Sequence, residues 1–217
     1  MSYNVEDKAD GNKNKPSRQK GAKRPSGRKE FKPPKKISEK YLYNSGLAYL
    51  QRFPASSHHF KSVMMRKIQK SCRFHEDQDI EQCRTWLDAL TDKFKELALL
   101  DDEAYLKGMV TSYRRRGLSS TQISLKLSPK GYNREEVTEE LHKYDTDEYG
   151  DLLEEQNGDF YAALIFARKK RLGPFDRDNR KTPEKALAAM ARGGYSYDTA
   201  QKILGLSLEE AQEQIRL

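Results

Sequence analysis

The chain has 217 residues, of which 35% are hydrophobic and 34% are charged. This proportion of hydrophobic residues is low for one large hydrophobic core and favours several small packed modules. The longest apolar run covers only residues 160–167 and no apolar signal segment follows the first methionine. We therefore expect neither secretion nor a membrane span, and a location in the cytoplasm.

The formal net charge of +8 lies entirely in residues 1–36, where twelve Lys or Arg stand against four Asp or Glu. Little apolar surface is present there to offset the entropy of ordering, so the segment is predicted to be a disordered basic arm. Such an arm either attracts polyanions by charge alone or only keeps the protein soluble. Its candidate nonspecific DNA-binding residues are Lys20, Lys23, Arg24, Arg28 and Lys29.

Three helices are predicted for residues 37–98. Their starts are marked by residue types that cap helix N-termini, namely Ser38, Ser56 or Ser57, and Asp79. Apolar residues recur every three or four positions in each, as one buried helix face requires. The predicted buried positions include Leu42, Phe60, Met64, Ile68, Cys83, Leu87, Leu90 and Phe94.

Residues 99–145 predict a second set of three helices. The first begins at Asp101 or Asp102 and buries Tyr105, Leu106, Met109, Val110 and Tyr113, leaving Lys107, Arg114, Arg115 and Arg116 mostly outside that stripe. Gly117 supplies a left-handed stop.

The second helix of this set begins at Ser119 or Ser120 and ends near Leu127, because Pro129 disfavours continuation. Gly131 then turns the chain. The third helix, capped by Asn133, buries Val137 and Leu141 and turns Glu135, Glu136, Glu139 and Glu140 outward.

Residues 146–217 predict a third set. An acidic loop over residues 145–151 leads into a helix that is interrupted by Gly158 and ends in the basic run 168–171. Thr182 and Pro183 start the next helix as a cap and first-turn proline. Gly194 turns the chain, Ser196 starts another helix, and a short final helix follows from Ser207.

The three sets are related by an offset of sixty-three residues. This shift places Ile123 on Ala186, Leu127 on Met190, Gly131 on Gly194 and Val137 on Ala200, and the reverse shift places Ser119 on Ser56. The expected fold is therefore all-α, an elongated tandem array of three three-helix modules (37–98, 99–145 and 146–217) behind the basic arm.

Two cysteines, Cys72 and Cys83, flank His75, but tetrahedral zinc sites usually pair their ligands at closer spacing. Reduced thiols, with Cys83 in a helix core, are the simpler interpretation. Nothing in the sequence places a group opposite the glutamates of residues 135–140 and 154–155 that would raise their pKa values, and no HExxH, P-loop or GxSxG motif is present. We expect no catalytic residues, metal or cofactor, and hence no enzyme.

The run Arg114-Arg115-Arg116 has two interpretations. Guanidinium groups there can pair with phosphate or carboxylate of a partner, or they can form a solvated helix end favoured by the helix dipole. Tyr105, Met109 and Tyr113 likewise resemble a base-stacking platform, although their four-residue spacing favours core packing.

Two parts of the chain resemble a known family, the RecX regulatory proteins. The central repeat of that family is matched by Leu99-Leu100-Asp101-Asp102, Tyr105, Val110, Gly117, Ile123, Leu127 and Lys130-Gly131. Its third repeat is matched by residues 163–174 and 191–204. The resemblance covers about residues 38–205. It departs at Pro129, at Ser119-Ser120 and in the long basic arm.

The resemblance implies a monomeric protein that binds RecA filaments on single-stranded DNA and inhibits filament growth, ATP hydrolysis and strand exchange, thereby restraining recombination and the SOS response. The alternative is a helical repeat protein that acts on nucleic acid by charge alone. The candidate RecA or DNA contacts are Lys67, Lys70, Lys107, Arg114, Arg115, Arg116, Arg168, Lys169, Lys170 and Arg171.

Overall fold

The computed structural model describes residues 33–154, 156–178 and 180–216, and within these ranges its regular structure is helical with no strand. The all-α prediction is confirmed. The helices are α1 (Glu39–Leu50), α2 (Ser57–Cys72), α3 (Ile80–Glu96), α4 (Asp102–Arg115), α5 (Ser120–Leu127), α6 (Arg134–Tyr149), α7 (Gly158–Lys170), α8 (Pro183–Arg192), α9 (Tyr197–Gly205) and α10 (Leu208–Arg216).

Eight of the described helices begin at predicted capping residues, whereas α7 is capped by Asn157, which was not predicted. In each case a side-chain oxygen accepts from a backbone N–H in the first turn, which satisfies one of the donors left open at a helix start. Asn133 and Glu136 complete a reciprocal capping box on α6. The caps are Ser38, Ser56, Asp79, Asp101, Ser119, Asn133, Thr182 and Ser196.

The predicted turns also form where expected. Gly117, Gly131 and Gly194 have φ values of 71°, 96° and 80°, a region that favours glycine. α5 ends at Leu127, and Pro129 lies in a single 3-10 turn that follows it.

Three hydrophobic clusters form the core, each drawn from consecutive helices. Tyr105, Met109 and Tyr113 pack against the second cluster, which supports their assignment to the core. The first contains Leu42, Phe60, Met64, Ile68, Cys83, Leu87 and Phe94; the second Leu106, Val110, Ile123, Leu127, Tyr132, Val137 and Leu141; the third Phe160, Leu164, Leu172, Ala186, Met190, Ala200 and Ile203. The division into three repeats stays a prediction, which these clusters support.

Two equivalent hydrogen bonds join successive groups of helices. The Ser56 hydroxyl donates to the Lys130 carbonyl at 2.5 Å, and the Ser119 hydroxyl donates to the Gly193 carbonyl at 2.7 Å. Both donors cap a helix and both acceptors lie in the turn of the following group, sixty-three residues apart. The sequence offset therefore has a counterpart in three dimensions.

The acidic loop predicted for residues 145–151 is wrong, because α6 continues to Tyr149 and a 3-10 turn (Gly150–Glu154) follows directly. Asp145 is buried, and its ion pair holds that end of α6. Gly158 begins α7 rather than interrupting it, and a Cβ there would collide with the Asp145 carboxylate. Glu140 is also buried rather than outward.

The predicted arm falls almost wholly outside the described residues, as do its candidate residues Lys20 to Lys29. Its last positions contact α2 and the turn that follows it: the Ser71 hydroxyl donates to the Lys35 carbonyl at 2.9 Å, and Lys36 pairs with Asp77. The ordered body therefore begins before residue 37. In the described part of the chain, no helix combines the length and apolar character needed to cross a membrane.

Candidate functional site

The three arginines at the end of α4 have different environments. The Arg114 side chain is 3% exposed, whereas Arg115 and Arg116 are exposed. Arg115 interacts with Tyr144, and the Arg116 guanidinium lies 5.8 Å from the centre of the Tyr113 ring. Only the last two are available to an outside partner.

Arg114 is instead the centre of a buried network. Its Nε and Nη2 donate to the two oxygens of Asp145 at 3.0 and 2.7 Å, and its Nη1 donates to Asp159 Oδ1 at 2.5 Å and to the Leu118 carbonyl at 3.2 Å. Asp159 also accepts from the backbone N–H and hydroxyl of Ser120 at 2.8 and 2.7 Å. The network thus joins α4, α5, α6 and α7.

The prediction that Arg114 lies outside the buried face is therefore wrong. Burial disfavours its charged form, but the carboxylates of Asp145 and Asp159 outweigh burial and raise the pKa of Arg114. The Arg114 guanidinium donates its hydrogen bonds to Asp145, Asp159 and the Leu118 carbonyl, all inside the protein. It is therefore not available to bind a partner. We therefore remove Arg114 from the candidate contacts and assign it a role in stabilising the fold.

Cationic helix ends converge beside this network. The groove formed there, the junction groove, has a volume of about 620 Å³, and its lining contains no carboxylate. Lys169 Nζ donates to the Arg116 carbonyl at 3.0 Å and so links the ends of α7 and α4. The cations of the junction groove are Arg116, Lys126, Lys169, Lys170 and Arg192.

A second groove, the terminal groove, lies at the end of α7 and has a volume of about 720 Å³. Lys181 Nζ donates to the Lys170 and Arg171 carbonyls and so satisfies acceptors at the helix end. Asp176 accepts from the backbone N–H groups of Arg180 and Lys181. The cations of the terminal groove are Arg168, Lys170, Arg171, Arg177, Arg180 and Lys181.

The remaining predicted contacts lie elsewhere. Lys67 and Lys70 are exposed on α2, where Lys67 bonds to the Ser45 hydroxyl. Lys107 is exposed on α4 and lines a separate depression with Glu103 and Lys143. None of the three lines the junction groove or the terminal groove.

The sequence interpretation missed Lys126, Arg192, Arg177, Arg180 and Lys181. Lys126 and Arg192 occupy the last turns of α5 and α8, and cations are favoured at helix C-termini. That signal was present in the sequence. The convergence of these ends on one groove depends on packing between helices and was not visible there.

The exposed cations of the two grooves suit anion binding. All the groove cations are exposed, and within the described ranges no group of three or more His, Cys, Asp or Glu residues is placed to hold a metal ion. Cys72 and Cys83 are free thiols, and burial raises the pKa of Cys83 to about 11. That thiol remains protonated and unreactive at neutral pH.

Comparison with known proteins identifies the family. A regulatory protein RecX of Myxococcus xanthus is 37% identical over 188 residues, covering 83% of this chain and 94% of the relative. The chain belongs to the RecX family of regulatory proteins. A second RecX, from Agrobacterium fabrum, is 30% identical over 172 residues, covering 78% of this chain and 85% of the relative.

The fold agrees with this assignment. The crystal structure of RecX from Lactobacillus salivarius matches with a TM-score of 0.52 and 18% identity, over 81% of this chain and 97% of that one. No family model matches the sequence. RecX membership therefore rests on the two relatives, with the solved RecX structure supporting the helical fold.

Proposed function

We propose that this protein binds RecA recombinase filaments on single-stranded DNA and inhibits filament growth, ATP hydrolysis and strand exchange. It acts as a cytoplasmic monomer without enzymatic activity and restrains recombination and the SOS response. The observation that carries the proposal is RecX membership over nearly the full length of a relative. The exposed cationic ends of α4 and α7 supply a surface suited to an acidic partner.

The contact surface assigned to this function comprises exposed residues only. A filament on DNA offers both carboxylates and phosphates, and guanidinium groups pair with either in bidentate geometry. Lys67, Lys70 and Lys107 remain outlying candidates on other surfaces. The central candidates are Arg115, Arg116, Arg168, Lys169, Lys170 and Arg171.

The test is Arg115→Glu combined with Arg116→Glu, assayed as inhibition of RecA ATPase on single-stranded DNA. Both side chains are exposed, so the variant should stay folded and lose inhibition at least tenfold, which corresponds to about 1.4 kcal/mol. The matched control is Lys40→Glu with Arg73→Glu, two exposed cations outside both grooves. Full inhibition by the Arg115/Arg116 variant would contradict this surface.

The second candidate function is charge-driven binding to nucleic acid without RecA. The basic composition of residues 1–36 favours it. Under this alternative, the unmodified protein would inhibit any single-stranded DNA-dependent ATPase to a similar degree. Selective inhibition of RecA separates the proposed function from this one.

A further inference from the structure

The junction groove and the terminal groove form one cationic surface. Lys170 lines both grooves, so their cations are continuous across the end of α7. Ten Lys or Arg side chains line the combined surface, against two carboxylates, Asp176 and Asp178. Asp178 pairs with Arg180 at 2.8 Å, and Asp176 is engaged by backbone N–H groups.

This concentration of charge does not follow from the composition of the folded body. Residues 37–217 contain equal numbers of basic and acidic side chains, because the whole net charge lies in residues 1–36. Like charges gathered in a groove repel one another and attract anions from solution. A cationic cluster of this size in a body whose total charge is zero indicates an anionic ligand.

The exposure of these cations distinguishes between kinds of anion. A site for one small phosphate is usually closed and presents buried donors, but every cation here is exposed. An extended row of exposed cations suits a polymer whose charges repeat along its length. Leu118 and Phe166, both half-buried, lie among the cations of the junction groove and offer apolar surface to sugars and bases.

We propose that the surface formed by the junction groove and the terminal groove binds the phosphodiester backbone of a single nucleic-acid strand, with Lys126 and Arg192 as direct phosphate contacts. The identity of the strand, the DNA of the RecA filament, rests on the proposed function. The binding itself requires no RecA. An acidic surface of a protein is the competing occupant, and the experiment separates the two.

The experiment measures the affinity of the full-length protein for a labelled oligothymidine of about thirty nucleotides by fluorescence anisotropy across a range of salt. The variant is Lys126→Gln with Arg192→Gln. Each lost phosphate contact on a single strand removes about 0.7 from the slope of log K against log salt. We expect the slope to fall by about 1.4 and binding in 0.1 M salt to weaken about 25-fold.

The control is Lys40→Gln with Arg73→Gln, which removes the same charge from exposed positions outside both grooves. It should keep the slope of the unmodified protein, and the arm is intact in every sample. Equal melting temperatures of the unmodified protein and the two double variants confirm that the substitutions leave the fold unchanged.

The outcomes distinguish this proposal from the proposed function. A lower slope for the groove variant alone supports strand binding, whether or not RecA inhibition is kept. An unchanged slope with lost RecA inhibition overturns strand binding and assigns the surface to RecA carboxylates. An unchanged slope with retained inhibition overturns strand binding and leaves the function intact through other residues.

Discussion

Adjacent arginines on α4 have opposite roles because a helix turns by about 100° per residue. Arg114 points into the protein and forms a bidentate pair with Asp145, whereas Arg115 and Arg116 remain exposed. Asp159 adds a second carboxylate to the buried side. The buried pair links α4 to α6, while Arg115 and Arg116 stay on the surface, where the proposed function places a partner.

The Arg114→Met substitution should lower the free energy of unfolding by about 3–5 kcal/mol, because it leaves two largely buried carboxylates without their cation. Chemical denaturation monitored by circular dichroism measures the change. Arg115→Met, one residue along and exposed, should alter stability by less than about 0.5 kcal/mol. Equal losses from the two substitutions would refute the buried network.

At the scale of secondary structure, two helix caps also connect groups of helices. Ser56 and Ser119 each cap their own helix and donate a hydroxyl hydrogen to a carbonyl in a following turn. The Tyr195 hydroxyl adds a bond to the Gly117 carbonyl at 2.8 Å. The start of one helix thereby fixes the position of the next group.

Ser119→Ala should therefore cost more than an ordinary cap. Losing the cap costs about 1 kcal/mol, and leaving the Gly193 carbonyl without its donor adds about 1–3 kcal/mol. Ser196→Ala is the matched comparison, because Ser196 caps α9 from an exposed position. Thermal and urea unfolding of both variants give the difference, and equal costs would show that the bond to Gly193 contributes nothing.

At the scale of the whole molecule, the net positive charge and the cationic grooves lie in different parts of the chain. The basic excess lies in residues 1–36, whereas residues 34–217 form one compact unit in which ten exposed cations line the two grooves. Under the proposed function, long-range attraction belongs to residues 1–36 and specific contact belongs to the grooves. Their contributions can be measured separately.

Removal of residues 1–32 should leave the melting temperature within about 2 °C of the full chain, a change of less than about 0.5 kcal/mol in a body of this size. It should flatten the salt dependence of DNA binding, because it removes ten Lys or Arg. RecA inhibition at normal stoichiometry should persist. Complete loss of inhibition by the folded truncation would favour the charge-driven alternative.

Much of the local structure could be predicted because it depends on neighbours in sequence. Capping residues such as Ser119 and Asn133, the glycine turns at Gly117 and Gly131, and the end of α5 before Pro129 follow from short-range backbone geometry. Apolar periodicity likewise identified Val110 and Ile123, both fully buried. Sequence alone determined the helical class, most boundaries and the repeated turn.

Only the tertiary structure decided which charges are internal and which are available. Asp145 was predicted in a loop, yet it lies in α6 as the partner of Arg114, thirty-one residues away. Lys126 and Arg192 come from different helices that meet at one groove. The spacing of residues along the chain does not predict these long-range contacts, because the electrostatic energy of a side chain depends on the charges that tertiary packing places near it. The arginine-rich end of α4 was visible in the sequence, but its division into one buried and two exposed arginines was not.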